Sequence, residues 1–116
     1  MLGVDIVSLK EIEKVYVKHG TAFLEKILVP AEIAELKRSG GRVFIRLLGY
    51  YFAAKEAIFK ACGDAQLGWA EINISGINKI PNVQIKRPSF AHNISLTFSF
   101  SRDMVIAQAL VTPSKV

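Results

Sequence analysis

The chain has 116 residues and a formal net charge of +5, with 51% apolar and 22% charged residues. This length suits one domain with one core over residues 1–116, and the apolar fraction excludes an intrinsically disordered chain. No apolar run approaches the roughly 20 residues that cross a bilayer, and the single cysteine, Cys62, excludes an internal disulfide.

These features predict a cytoplasmic protein. The first residues lack the basic start and long apolar stretch of a secretion signal, and a single thiol suits a reducing compartment. The positive charge predicts an acidic partner, which can be a nucleic acid, an anionic small molecule or an acidic protein. Basic and aromatic residues do not interleave on one face of any predicted strand, as a nucleic-acid stacking platform requires. We therefore expect neither a nucleic acid nor a membrane as partner.

The first half of the chain predicts one strand followed by helices. Residues 2–8, LGVDIVS, alternate in the way typical of a strand, and Ser8 can cap the next helix with Glu11 at the capping-box position. A short helix can begin at Thr21, and PAEIAELKR has proline in the first turn of another. The longest predicted helix runs from about residue 43 to residue 62.

The second half of the chain predicts strands. The segments are AEINISGI, NVQIK, NISLTFSFS and MVIAQALV. NKIPN is expected to form the turn between the first two, and FSRD a tight turn that joins the last two in a hairpin. One strand, several helices and a closing meander predict an α+β fold, in which a mostly antiparallel sheet packs against the long buried helix.

The long helix contains the segment FAAKEAIFKA, in which Lys55, Glu56 and Lys60 interrupt an apolar surface. A helix that is apolar nearly all round is typically buried, and an unpaired buried carboxylate is costly, so Glu56 needs a partner. One hypothesis is an i, i+4 ion pair between Glu56 and Lys60 at the edge of the core. The other is a metal or phosphate site that also uses Asp5, although an Asp at a strand end can simply bond to backbone.

Two carboxylates and two lysines suit phosphoryl chemistry. Mg²⁺ takes a few oxygen ligands together with waters and substrate phosphates, and lysines neutralise the remaining phosphate charge. Such a set supports displacement at a phosphoryl group, where positioning and charge stabilisation supply most of the rate. The chain has no glycine-rich GxxxxGK[ST] phosphate loop, which argues against a P-loop nucleotide site.

The chain carries four recognisable segments in order: GVDIV at residues 3–7, FAAKEAIFKA at 52–61, GWAEINI with NKIPNV, and FSRDMVIAQALV. Together they resemble the holo-acyl-carrier-protein synthases, the small single-domain type of 4′-phosphopantetheinyl transferase. The second segment is similar to that family's [FW]-A-A-K-E-A-x-x-K-A helix. The resemblance runs nearly end to end and implies the 4′-phosphopantetheinyl transferase-like fold.

The resemblance implies a Mg²⁺-dependent enzyme. Such transferases move the phosphopantetheine arm of coenzyme A (CoA) onto a serine of apo-acyl-carrier protein and release adenosine 3′,5′-bisphosphate. Asp5 and Glu56 match the metal-binding acids, and Glu56 and Lys60 are the expected catalytic residues. The residues expected to bind CoA are Lys55, Lys60, Ser99 and Arg102. For Lys55 the alternative is support of the helix, and the serine proton could pass to Glu56 or to a metal-bound water.

The resemblance also implies protein partners. The acidic recognition helix of the carrier protein would dock on the first helix, where Lys14, Val15 and Lys18 fall near the contact positions. The alternative for these lysines is a solvated helix face. Family members pack as trimers with CoA in clefts between subunits, so a homotrimer is expected. The implied setting is fatty acid biosynthesis, although the carrier could belong to a polyketide or another pathway.

Three departures from the family pattern concern the CoA site. Phe100 stands where a histidine near the CoA phosphates is usual, and Tyr51 stands where an arginine is frequent. The loop CGDAQLG at residues 62–68 replaces a Gly-Thr-Gly loop. These departures motivate an alternative function, a non-catalytic protein that binds CoA or a carrier protein and has kept the fold.

Overall fold

The computed structural model describes residues 1–63 and 67–114. The strands and helices in these ranges are β1 (Leu2–Ser8), α1 (Leu9–His19), α2 (Thr21–Ile27), α3 (Pro30–Lys37), α4 (Gly41–Cys62), a 3₁₀ turn (Trp69–Glu71), β2 (Ile72–Ser75), β3 (Asn82–Ile85), β4 (His92–Ser101) and β5 (Met104–Pro113).

Local capping contacts explain where the first helices begin and end. The Ser8 hydroxyl accepts a hydrogen bond from the Glu11 backbone N–H at 3.4 Å and so caps α1. Gly20, with φ of 57°, ends α1, and its N–H donates to the Tyr16 carbonyl. At the start of α3, a Glu32 carboxylate oxygen accepts from the Val29 N–H at 2.9 Å. These helix ends follow the local signals in the sequence.

The strands form two antiparallel sheets. The larger has the order β1–β5–β4, so the first and last strands of the described chain are neighbours, and β2 pairs with β3 in a separate hairpin. In β1, Gly3 and Val7 are buried on the face that packs against α4. Leu2 and Ile6 lie on the opposite face and are exposed. We call that second face of the β1–β5–β4 sheet the outer sheet face.

Helix α4 forms the centre of the core. Leu48, Ala53, Ala57 and Ile58 are fully buried, and burying a large aliphatic side chain stabilises the fold by about 1.5–3 kcal/mol. The helix packs closely against β1, because a Cβ atom on Gly3 would overlap the Ala57 carbonyl oxygen. This close approach brings the polar residues of β1 near those of α4.

The architecture confirms the predicted α+β fold, with antiparallel strands packed against a long buried helix. The turn in NKIPN and the hairpin turn in FSRD lie where they were predicted, and Arg102 in the latter has φ of 56°. The segment AEINISGI begins with the 3₁₀ turn, so the strand within it is shorter than predicted. Of the altered loop at 62–68, residues 64–66 lie outside the described residues.

Candidate active site between strand β1 and helix α4

Three charged side chains meet where β1 packs on α4, and we call them the Asp5–Glu56–Lys60 cluster. The Lys60 ammonium donates to Asp5 Oδ1 at 2.9 Å and to the Val4 carbonyl at 3.0 Å. Glu56 lies one helical turn before Lys60 and interacts electrostatically with Asp5. The Asp5 side chain is 14% exposed and that of Lys60 54% exposed, so the cluster lies at the boundary between core and solvent.

Short-range sequence features place each member of the cluster. Asp5 shares one face of β1 with Gly3, because alternate strand residues point to the same side. Glu56 and Lys60 are four residues apart and therefore share one side of α4. The ion pair between Glu56 and Lys60, one of the two hypotheses from the sequence, is not found among the described residues, because Lys60 reaches across to Asp5 instead.

The surroundings of Glu56 disfavour the ionised form of its carboxyl group. Partial burial raises the pKa of Glu56 above its ordinary value, and the negative charge of Asp5 raises it further. The ammonium of Lys60 acts in the opposite direction but does not cancel these effects. Two carboxylates are thus held close together at a cost that a bound cation would remove.

The chemistry of these residues fits Mg²⁺. This ion is usually held by one or two protein carboxylates together with waters and substrate phosphates. No group of three or more His, Cys, Asp or Glu side chains in residues 1–63 and 67–114 forms a closed metal site. Asp5 and Glu56 are the side chains that could hold such an ion, with waters and substrate oxygens as its other ligands.

Lys55 lies outside this cluster. Its side chain is 0% exposed, and its ammonium donates to Glu32 Oε1 at 2.7 Å and to the carbonyls of Ile27 at 2.8 Å and Trp69 at 3.2 Å. A lysine ammonium has three donors, so these bonds use all of them. The burial of Lys55 argues against the predicted contact with CoA and supports the alternative role within the fold.

A pocket of about 390 Å³ lies beside Glu56. Phe23, Phe52 and Trp69 form much of its apolar wall, and the ring centroids of Phe52 and Trp69 are 5.6 Å apart. Val15, which was predicted to contact the carrier protein, also lines this pocket. The pocket therefore connects the predicted docking helix with the predicted catalytic acid.

A larger pocket of about 740 Å³ lies between α1, the start of α4 and the β4–β5 turn. The basic residues that line it are Lys10, Lys14, Arg42, Arg46 and Arg102. Phe100 is 43% exposed at its wall, with the Arg46 guanidinium 5.7 Å from the ring centroid. The pocket is also lined by the acids Glu13 and Asp103, but the basic residues outnumber them, and the excess of positive charge suits a polyanionic ligand.

The remaining predicted residues are placed apart from the cluster. Lys14 and Lys18 are exposed on α1, and Lys14 is also 3.5 Å from Glu11. Ser99 pairs with Ile106 in the hairpin and lies on the outer sheet face, opposite to the face that carries Asp5. The structure therefore does not bring Ser99 to the Asp5–Glu56–Lys60 cluster.

Two uncharged residues singled out in the sequence are core residues. Tyr51, which stands where an arginine is frequent in the family, is buried. The position does not face a ligand-binding surface of this chain, so the absence of an arginine there removes no charge from such a surface. Cys62 is also buried, and burial raises the pKa of its thiol, which argues against a nucleophilic role. Sequence reasoning missed Glu32 as the partner of Lys55, although a glutamate at the third position of α3 is itself a capping signal.

Comparison with known proteins identifies the family. The sequence profile of the 4′-phosphopantetheinyl transferase superfamily matches residues 1–109. The chain belongs to this superfamily. A holo-[acyl-carrier-protein] synthase from Chlorobaculum parvum is 38% identical over 117 aligned positions, which cover 97% of each chain. The same kind of enzyme from Chlorobaculum tepidum is 36% identical, again over 97% of each chain.

Solved structures of transferases from this superfamily have the same fold. A holo-(acyl-carrier-protein) synthase from Bacillus anthracis, in complex with CoA (3′,5′-ADP), matches with a TM-score of 0.82 and 30% identity, over 98% of this chain and 96% of that one. The Helicobacter pylori holo-[acyl-carrier-protein] synthase, in complex with coenzyme A, matches with a TM-score of 0.79 and 30% identity, over 97% of this chain and 100% of that one. Within the described ranges, none of this chain's helices is long and apolar enough to cross a membrane.

Proposed function

We propose that this chain is a Mg²⁺-dependent holo-[acyl-carrier-protein] synthase. It transfers 4′-phosphopantetheine from CoA to a serine of apo-acyl-carrier protein and releases adenosine 3′,5′-bisphosphate. The observation that carries the proposal is the Asp5–Glu56–Lys60 cluster, in which two carboxylates and an ammonium meet beside a pocket that reaches α1. Membership of the superfamily supports the same reaction.

The residues of the cluster suit each part of this transfer. The carrier serine oxygen forms a bond to the phosphorus that carries the pantetheine arm, and the bond from that phosphorus to the bridging pyrophosphate oxygen breaks. Mg²⁺ held by Asp5 and Glu56 would neutralise the charge that develops on the pyrophosphate oxygens. Lys60, half-exposed beside both acids, can turn from Asp5 to a phosphate oxygen. A Glu56 carboxylate oxygen not used by the metal can accept the serine proton.

The basic pocket supports CoA as the substrate. Its lysine and arginine side chains, Arg102 among them, can neutralise the phosphates of a nucleotide. We propose Arg102 as a CoA-binding residue and Lys14, Val15 and Lys18 as contacts of the acidic carrier protein. We further propose that residues 1–116 form one transferase domain, which acts in the cytoplasm as a homotrimer.

A second candidate function is binding without catalysis. It is motivated by Phe100, whose aromatic ring contacts the Arg46 guanidinium at the basic pocket. This contact competes with binding of a phosphate by the same guanidinium. A protein of this kind would bind CoA or a carrier protein and leave both unchanged.

The decisive measurement is the intact mass of an apo-acyl-carrier protein after incubation with this chain, CoA and Mg²⁺. A gain of one phosphopantetheine that EDTA abolishes is expected. If several carrier proteins gain no mass while calorimetry shows that the folded chain binds CoA, the binding function replaces the transferase.

The matched variants are Glu56→Gln and Glu25→Gln. Glu25 is exposed on α2 and serves as the control. We expect Glu56→Gln to reduce the transfer rate at least about a hundredfold, because it removes a metal-binding carboxylate. Its Tm should not fall, because the substitution removes a partly buried charge that lies near Asp5. Full activity of Glu56→Gln would contradict the proposed metal site.

A further inference from the structure

The ion pair between Lys55 and Glu32 connects five elements in the core. Lys55 on α4 donates to the Ile27 carbonyl at the end of α2, to Glu32 on α3, and to the Trp69 carbonyl in the 3₁₀ turn. The other oxygen of Glu32 accepts from the Ile74 N–H of β2 at 2.8 Å. Both side chains are almost completely buried. The pair thus tethers the elements on either side of it to α4.

Stability alone gives a weak reason for such a pair. Removing two charges from water costs free energy that their attraction repays only in part, and apolar residues of similar size often stabilise a core equally well. Burial lowers the pKa of Lys55, although Glu32 acts in the opposite direction. The geometry that the pair imposes is therefore a better guide to its role than its contribution to stability.

The pair holds residues that line the pocket beside Glu56. Two of its acceptors are carbonyls of Ile27 and Trp69, and both residues line that pocket. The Trp69 ring also packs edge-on against Phe59, with a centroid distance of 4.8 Å. Glu32 holds the backbone of β2 shortly after Trp69 in the chain. The Lys55 ammonium thus holds two walls of the pocket, one from α2 and one from the 3₁₀ turn. Lys55 is also the residue directly before Glu56 in the chain.

Other residues that line the pocket indicate which reactant uses it. Val15 and His19 come from α1, and Lys26 comes from α2. An apolar pocket with basic groups at its rim complements an acidic protein surface that presents an apolar side chain. The basic pocket, which suits CoA, includes Arg102 and shares no lining residue with this pocket, although α1 contributes to both.

We propose that Lys55, through its pair with Glu32, is a positioning residue that sets the pocket walls for the acyl carrier protein beside Glu56. This inference rests on the proposed transferase function. Lys55 itself contacts neither substrate nor metal, because all three of its donors are used inside the fold. Its removal should weaken use of the carrier protein, while binding of CoA depends on other residues.

The test uses a paired variant, Lys55→Met with Glu32→Gln, which removes both buried charges together. Lys37→Met, in which an exposed lysine at the end of α3 is replaced, is the matched control. Trp69 is the single tryptophan of the chain, so its fluorescence reports directly on the pocket wall. For the paired variant we expect red-shifted emission, easier quenching by acrylamide and a KM for apo-carrier protein raised roughly tenfold. The KM for CoA should change by less than about twofold.

Two outcomes separate this inference from the proposed function. Absence of transfer by the unaltered chain contradicts the function itself. If the unaltered chain is active, and the paired variant keeps its Trp69 fluorescence and its KM for the carrier, the pair is only structural and the inference is wrong. Should the paired variant not fold, Trp69→Phe tests the wall directly, since Trp69 is only half-buried. An unchanged carrier KM in that variant also overturns the inference.

Discussion

At the scale of single residues, Gly3 controls how close β1 comes to α4. A side chain there would overlap the Ala57 carbonyl and lie 2.7 Å from the Ala61 nitrogen, both of which are backbone atoms that cannot rotate away. We predict that Gly3→Ala lowers stability by about 1–3 kcal/mol, as expected for overpacking, and moves Asp5 away from Glu56. The affinity for Mg²⁺, measured by calorimetry, should fall with it.

Gly49→Ala is the control for this prediction. It introduces the same methyl group on α4, but there the group meets the Leu9 Cδ2 atom at the end of a flexible side chain. We expect this variant to keep the Mg²⁺ affinity of the unaltered chain. Equal Mg²⁺ affinities in Gly3→Ala and Gly49→Ala would show that the close approach at Gly3 does not shape the metal site.

Tyr51 provides a prediction about alkaline pH. Burial raises the pKa of its hydroxyl well above the ordinary value of 10.0, and the charges of Glu32 and Glu35 raise it further. Below about pH 10 the hydroxyl is protonated in the folded and unfolded chain alike, so its contribution to stability is complete. Above that pH the unfolded chain ionises first, and stability is lost. Urea unfolding from about pH 9 to 11 should show a steeper loss for the unaltered chain than for Tyr51→Phe. Parallel profiles would contradict this.

At the scale of elements, the β4–β5 turn contains Arg102, which has an unfavourable backbone conformation and a proposed role in binding CoA. Arg102 has φ of 56°, a conformation that costs a residue with a side chain roughly 1–2 kcal/mol and costs glycine little. We predict that Arg102→Gly raises Tm and also raises the KM for CoA. Arg102→Ala should raise the KM equally without the gain in Tm. If both variants keep the original KM, Arg102 does not bind CoA.

The same scale shows what the sequence could and could not predict. The bounds of α1 and the position of the β4–β5 turn follow from capping and turn residues that act over a few positions. The partners of the lysines do not, because Lys55 is 23 residues from Glu32 and Lys60 is 55 residues from Asp5. Helical spacing suggested the nearest acid, Glu56, as the partner of Lys60. The close packing that Gly3 allows brings Asp5 within reach instead.

Recognition of the family motifs supplied part of the information about long-range contacts that local sequence patterns lack. The residues alone left a site shared by Asp5 and Glu56 as one of two hypotheses, the motifs favoured it, and the structure brings the two acids into electrostatic interaction. The motifs also proposed Lys55 as a CoA ligand, because a motif records which residue is present and not whether its side chain is enclosed. Burial of Lys55 depends on where α3 and the 3₁₀ turn pack, and no short segment of sequence contains that information.

At the scale of the whole molecule, the outer sheet face carries several exposed apolar side chains. Leu2, Ile6 and Leu110 are 64%, 58% and 46% exposed, and Leu2 lies directly opposite Leu110 in the sheet. A cluster of apolar side chains on neighbouring strands is typical of a subunit interface. The face therefore supports association between copies of this chain, and for the proposed homotrimer analytical ultracentrifugation should give the mass of three chains.

Ile6→Glu is the sharpest test of this assembly, because it would place a charge within the buried face of each subunit, where an unpaired carboxylate is costly. We expect the variant to sediment as a monomer with an unchanged far-ultraviolet spectrum, since Ile6 contributes little to the core of its own chain. Transfer should be lost with the trimer if the CoA cleft needs a neighbouring subunit. Ile80→Glu is the matched control, because Ile80 is 88% exposed in the β2–β3 turn, away from this face. A trimeric Ile6→Glu variant would mean that another surface joins the subunits, and an active monomer would mean that one chain holds the complete site.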